Sequence, residues 1–312
     1  MRPARYLVAA GALAAVAISG CGSHSNASSS AQQAQLAVAA AAQKSATASL
    51  RYDLTANVGL DTSKLTGLSA AEVSKLTGLQ NVAVTADAEQ ESASRQKVNL
   101  TLKYGTESHT ATIVNHDGTV YYSADGSAFE SGATPKQLSG GLGTTLNQPA
   151  KYLESLPGFL DKGTTQQDGL TVEKYEATID QSLIGKLFAG ALAQGTGQNN
   201  PALAPQVAAM LQGFLQQLVH VDSGTADAYV RSDDGRLDRA TVTTSLTLDL
   251  SNLGSILGGL QSLGATGHGA TSNASASLPG GQIHANIAAS AHLYDYGAPI
   301  TVTKPTVSTT PA

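Results

Sequence analysis

The residue with the most reactive side chain in this sequence is its one cysteine, Cys21, which ends the run Ile18-Ser19-Gly20-Cys21. An aliphatic residue, two small residues and a cysteine form the bacterial lipobox, in which the thiol accepts a diacylglyceryl group. Upstream, Arg2 and Arg5 precede the apolar stretch Tyr6–Ile18, as in a signal peptide. The pattern predicts that Cys21 is lipidated and becomes the N-terminus of the mature chain. The alternative is an ordinary secretory signal that ends in a chance cysteine.

The same stretch sets the predicted location of the chain. It is too short to cross a bilayer, because a spanning helix needs about 20 apolar residues. Residues 1–20 are therefore predicted to be a signal peptide, and the lipidated chain to lie on the outer face of the cell membrane. Loss of Arg2 and Arg5 changes the net charge from −5 to −7, which argues against a nucleic-acid partner.

The other residues that could do chemistry do not form a motif. The nearest approach to a nucleophile elbow, around Ser69, lacks the final glycine. The 7 histidines are scattered, and Asp233, Asp234 and Asp238 lack the spacing of a calcium loop. Tyrosine pairs such as Tyr121-Tyr122 could stack on a sugar, which leaves a polysaccharide binder as a minor alternative. No enzyme activity, metal or cofactor is predicted.

The elements that follow Cys21 change from a tether to a helix and then to strands. Residues 21–33 are rich in Ser, Gln and Asn, which indicates a flexible lipid-anchored tether, and a helix is predicted from Ala34. Alternation then begins at Leu50 and recurs in runs separated by Asp-Gly pairs at 117–118, 125–126, 168–169 and 234–235. Asp-Gly favours tight hairpins. The pattern predicts an antiparallel meander with one apolar and one polar face.

Three apolar helical patterns interrupt the meander, at 182–194, 205–219 and 252–264. A repeat of Ser-Lys-Leu-Thr-Gly-Leu begins at Ser63 and again at Ser74. We interpret it as a local duplication inserted between strands. Segments 60–80, 196–220 and 251–281 are all predicted insertions whose role the sequence does not define.

Three stretches carry a resemblance to a known family. They are "SATASLRYDLT" after the first helix, "IVNHDGTVYYS" with Phe129 beyond it, and "DYGAPITVTKP" near the end. With the lipobox, they resemble the LppX/LprAFG family of mycobacterial lipoproteins, over about Ala34 to Pro305. The resemblance implies an α+β fold like that of LolA and LprG: a strongly curved antiparallel sheet, or half-barrel, with helices covering its concave face. It also implies one domain over residues 34–305 and a disordered tail over 306–312.

Family membership would further imply an apolar cavity that holds acyl chains of envelope lipids or lipoglycans. The predicted function is therefore a membrane-anchored lipid or glycolipid carrier or presenter, with an unidentified envelope transport partner. The alternative is a surface protein-interaction module with a solid core. The residues predicted to line the cavity are Leu54, Val84, Leu100, Leu102, Val172, Leu187, Leu211, Phe214, Val242, Leu246, Leu248 and Ile287.

Overall fold

The computed structural model describes residues 29–67, 69, 80–131, 153, 156, 158–181, 183, 218–251 and 280–307. Within these ranges the chain forms the helix α1 (Ser29–Thr47) and an 11-stranded sheet, and single described residues such as Leu153 and Leu183 are also helical. The strands are β1 (Leu50–Thr66), β2 (Asn81–Ser92), β3 (Arg95–Tyr104), β4 (Glu107–His116), β5 (Thr119–Ala124), β6 (Glu130–Ser131), β7 (Leu160–Gln167), β8 (Leu170–Thr178), β9 (Val219–Arg231), β10 (Leu237–Asp249) and β11 (Gly280–Tyr294).

The sheet consists of two antiparallel meanders joined at their first and last strands. Its order is β6-β5-β4-β3-β2-β1-β11-β10-β9-β8-β7, and every pair of neighbouring strands is antiparallel. Pairing of β1 with β11 joins the two halves. The sheet is curved and does not close on itself, because β6 and β7 lie at opposite edges.

The two ends of the sheet differ in the length of their connections. Short turns join β2 to β3, β4 to β5, β7 to β8 and β9 to β10 at one end, which we call the turn end. Long excursions between β1 and β2, β8 and β9, and β10 and β11 leave from the other end, which we call the loop end. The predicted Asp-Gly hairpins are confirmed at Asp117 and Asp168, whose φ angles are 52° and 51°.

Helix α1 packs on the sheet through a stripe of small residues. Ala31, Ala34, Val38 and Ala41 recur every three or four residues and are buried, and the helix contacts β7, β9 and β10. It begins at Ser29 rather than at the predicted Ala34, because the stripe already starts at Ala31. The predicted tether is shorter by that first turn.

Strand β1 is also longer than predicted. It continues into the first copy of the repeated segment, as far as Thr66, and Lys64 and Leu65 pair with Gln282 and Gly281 of β11 after a bulge at Asp61. Gly281 has a φ of +97°, and a Cβ at this position would lie 2.1 Å from the Lys64 carbonyl oxygen. Only glycine permits this approach. Residues 63–66 of the first repeat therefore lie in the sheet and not in an insertion.

A C-terminal segment covers part of the face that the alternation predicted to be solvated. Ile300 and Val302 pack with Val114 and Tyr121 in a second apolar cluster, and Val302 N–H donates to the Glu91 carboxylate at 2.8 Å. Val307, placed in the predicted tail, forms an isolated parallel bridge with Phe129. The ordered domain therefore extends past Pro305.

Candidate functional site

The two faces of the sheet differ in polarity as the alternation predicted. We call the face that carries the main core cluster the inner face and the opposite one the outer face. Inner-face positions include Tyr52, Val84 and Val98. The outer face carries ion pairs, for example Lys174 with Asp227 at 3.1 Å.

Alanines fill much of the middle of the inner face. Strand register aligns two neighbouring rows that run across β1–β4 and β8–β11. The alanines of these two rows are Ala111, Ala86, Ala291, Ala240 and Ala228 in the first and Ala56, Ala289, Ala226 and Ala177 in the second. A side chain of one methyl leaves depth above the sheet that a leucine or phenylalanine would fill.

Several inner-face side chains in central strands are only partly buried. Leu54 and Leu100 lie in register on either side of Ala86, and both are half-buried although Ala86 is 3% exposed. Ala240 and Ala289 are half-buried as well. The cover over the inner face is therefore incomplete above β1–β3 and β10–β11, where apolar side chains remain accessible.

Among the described residues, two parts of the chain contribute most of the cover, and Leu183 after β8 adds to it. One is helix α1, and the other is the connection between β6 and β7, from which Leu153, Leu156 and Phe159 enter the main core. Leu156 and Phe159 are fully buried. These elements thus cover part of the inner face of the sheet.

The structure brings most of the predicted cavity residues together. Those on the inner face are Leu54, Val84, Leu100, Leu102, Val242, Leu246, Leu248 and Ile287. Val172 is fully buried but lies in register with Arg231, whereas its neighbours Tyr175 and Ala177 pair with the inner-face Ala228 and Ala226. Val172 therefore lies on the outer face. The remaining predicted sites, Cys21, Leu187, Leu211 and Phe214, are outside the described residues.

A buried polar network, which the sequence analysis did not identify, holds the C-terminal end of α1 on the sheet. The Gln90 amide nitrogen lies 3.3, 3.1 and 2.7 Å from the carbonyl oxygens of Ser45, Ala46 and Ala48. The buried Ser45 hydroxyl accepts from Leu237 N–H at 3.0 Å. These contacts satisfy carbonyls that a helix end leaves without partners.

Tyr296 completes this network from the far end of β11. Its hydroxyl lies 2.9 Å from the Ser45 hydroxyl and also contacts the Leu237 carbonyl oxygen. Burial raises the pKa of Tyr296, and the Arg236 guanidinium lies 5.0 Å from the centre of its ring. The position of α1, and with it one side of the inner-face cover, is fixed by these bonds.

At the loop end, an imidazole joins the β3–β4 hairpin to the turn after β5. The His109 ring lies 3.1 Å from Asp125 through Nδ1 and 3.2 Å from the Tyr104 hydroxyl through Nε2. The hydrogen bond to Asp125 is the main cause of a raised pKa at His109. Thr110 N–H donates to the same carboxylate at 2.7 Å. The polar groups of this cluster hydrogen-bond to one another, and His109 lies in register with Leu102 on the inner face.

In the ranges that the structure describes, no three His, Cys, Asp or Glu side chains are grouped closely enough to hold a metal ion. No helix of those ranges has both the length and the hydropathy needed to cross a membrane. The arrangement offers an apolar surface with polar ends.

Comparison with known proteins gives solved structures only, since no family model and no curated protein matches the chain. LprF from Mycobacterium bovis is 14% identical, with 89% of this chain and 99% of that chain covered and a TM-score of 0.40. The lipoprotein LppX from Mycobacterium tuberculosis is 14% identical, with coverages of 88% and 100% and a TM-score of 0.37. A LolA superfamily protein from Nitrosomonas europaea is 8% identical, with coverages of 89% and 99% and a TM-score of 0.28. The predicted resemblance to the group of LppX and LprF is confirmed.

Proposed function

We propose that this chain is an exported lipoprotein that holds acyl chains of envelope lipids or lipoglycans against its inner face, as a carrier or presenter. The observation that carries the proposal is the half-buried pair Leu54 and Leu100 beside the alanine rows. Burying one methylene of an acyl chain contributes about 0.8 kcal/mol. An extended chain laid along these rows would therefore be bound mainly by apolar contact.

The cover proposed for this ligand is helical. Helix α1 packs on one side of the inner face, and Leu153 and Leu183 are helical residues buried in the same core. We propose that the inner face is the concave face of the curved sheet and that helices cover it, so that the ligand lies between two layers. This function needs positioned apolar surface and no reaction chemistry.

The N-terminal sequence supports the proposed location. Lipidation of Cys21 would tether the domain to the outer face of the cell membrane through two or three acyl chains, and two chains are enough for stable anchoring. A carrier in that position would exchange lipid with the membrane or with an envelope transport partner. Residues 22–28 would then separate the anchor from helix α1.

Mass spectrometry of co-purified lipid tests the proposal. The mature chain with Cys21→Ser should be exported behind an ordinary secretory signal peptide, so that it is cleaved but not lipidated, and then purified, extracted with solvent and analysed for lipids in amounts close to one per chain. Acyl lipids in the extract are the expected result. Their absence, with an intact and cooperatively folded protein, would favour the solid-core interaction module instead.

A further inference from the structure

The row of the inner face nearest the turn end is polar, although the neighbouring rows are apolar. Gln96 of β3 lies in register with Gln90 of β2 and with Asn115 of β4. The next row toward the loop end holds Val98 and Ile113. Polar side chains at inward positions of three adjacent strands are unusual in a lipid-facing surface and require partners.

The orientation of the two glutamine amides follows from α1. Three carbonyl oxygens surround the Gln90 Nε2, and carbonyls only accept hydrogen bonds, so the nitrogen must face the helix. Gln90 Oε1 consequently faces β3, where it accepts from Gln96 Nε2 at 2.7 Å. This bond in turn directs Gln96 Oε1 away from Gln90.

Gln96, which ends this chain of bonds, and its register partner Asn115 each carry a side-chain oxygen without a donor. Gln96 is 1% exposed. Its Oε1 and the Oδ1 of Asn115 are buried, and no donor among the described residues reaches either atom. Flanking strands place the two side chains on the same face and about 5 Å apart at their Cβ atoms. A buried acceptor that lost its water and gained no donor destabilises the folded protein.

We propose that Gln96 Oε1 and Asn115 Oδ1 bind an uncharged hydrogen-bond donor, a hydroxyl or a primary amide, of the lipid that occupies the inner face. The inference rests on the proposed function and narrows its ligand class. Two carbonyl oxygens repel a carboxylate or a phosphate. A buried ammonium would lack a counter-ion, because the described residues of this row and the next are uncharged on the inner face.

A matched pair of probes isolates the donor. 1-Hexadecanol and hexadecyl methyl ether share a sixteen-carbon chain (a choice of probe, about the length of a membrane acyl chain) and differ in one hydroxyl hydrogen. Each is titrated against diphenylhexatriene bound to the mature chain with Cys21→Ser. The alcohol should displace the dye at about fivefold to tenfold lower concentration than the ether, as one neutral hydrogen bond permits.

Two asparagine variants supply the test and its control. In Asn115→Leu the preference for the alcohol should fall below about threefold, since one acceptor is gone. The melting temperature of this variant without lipid should not fall, because a buried unpaired oxygen has been replaced by an apolar group. Asn57→Leu, exposed on the outer face of β1, should keep the wild-type preference.

The outcomes separate this inference from the proposed function. Equal displacement by alcohol and ether in the wild type would overturn the inference and leave lipid binding intact, as expected if a water occupies the two oxygens. Loss of the preference in Asn57→Leu but not in Asn115→Leu would also overturn it. If neither probe displaces the dye, or the dye does not bind, the proposed function itself fails.

Discussion

Replacement of Leu100 and Leu102 by tryptophan compares an open and a filled position on the same strand and the same face. Leu102 is 1% exposed and lies in register with the buried Val84. A larger side chain there must displace its neighbours, at a typical cost of about 1–3 kcal/mol. Leu100 is half-buried, so its indole can extend into accessible space, and the change in stability should stay within about 0.5 kcal/mol.

These free energies convert to measurable melting shifts. For a domain of this size class, 1 kcal/mol corresponds to a shift of about 2–4 °C. Leu102→Trp should therefore melt lower by roughly 2–12 °C, and Leu100→Trp by less than about 2 °C. Because the indole at position 100 would occupy ligand space, Leu100→Trp should also lose most of its co-purified lipid.

The assay combines thermal melts of solvent-extracted protein with lipid quantification by mass spectrometry on unextracted protein. Leu102→Trp is the matched control, because both variants add the same side chain to β3. Equal destabilisation by the two variants, with no lipid in the wild type, would refute the reading of Leu100 as a cavity position. It would favour a solid core and a docking function.

Three further predictions address the lipid anchor at Cys21, the hydrogen bonds from Gln90 to α1, and the pH dependence of stability. Cys21→Ala should prevent lipidation, so fractionation and the intact mass should show an unprocessed or released chain; a membrane-bound, normally matured variant would contradict this. Gln90→Leu removes the donor to the α1 carbonyls and should lower the free energy of unfolding by about 1–3 kcal/mol in denaturant melts. An unchanged denaturation midpoint would show that these hydrogen bonds do not stabilise the position of α1. Asp125 raises the pKa of His109, so protonated His109 stabilises the folded protein. This contribution to the free energy of unfolding should be full below the unfolded-state pKa of about 6.5 and should be lost as pH rises through the folded-state pKa. Asp125→Asn should flatten this dependence in melts between about pH 5 and 9, and an identical profile in both proteins would argue against it.

The inner face was predictable from the sequence wherever only one parity of a strand is apolar. In β3, Val98, Leu100 and Leu102 alternate with Asn99 and Thr101, so the inward set follows from the pattern alone. In β8 both faces carry apolar residues, since Val172 lies on the face opposite to that of Tyr175 and Ala177. Only the register with β9 assigns its faces, and a register is a long-range pairing that periodicity does not contain.

The polar network was harder to find for a related reason. Gln90 and Gln96 occupy inward positions at the ends of β2 and β3, next to a turn, where a glutamine normally signals solvent exposure. Their burial depends on α1, whose C-terminal carbonyls reach Gln90 from Ser45, Ala46 and Ala48. The available signal was the parity of the two glutamines, which continues the apolar series without a break. Without the helix position, that parity does not distinguish a buried amide from a frayed strand end.

The alanine rows raise the question of whether the unliganded protein can contain an empty cavity above them. An empty apolar void of about 1,000 Å3 would cost on the order of 20 kcal/mol by the coefficient measured for core cavities. This exceeds the total stability of about 5–15 kcal/mol that a domain has. Leu54 and Leu100 are partly exposed, so a cavity above this surface would be open to water when no ligand is bound. Under the proposed function, bound lipid would replace that water with methylenes and stabilise the folded state through mass action. Folding and the proposed ligand capture would then depend on the same apolar surface, which is why Leu100→Trp should separate them and Leu102→Trp should not.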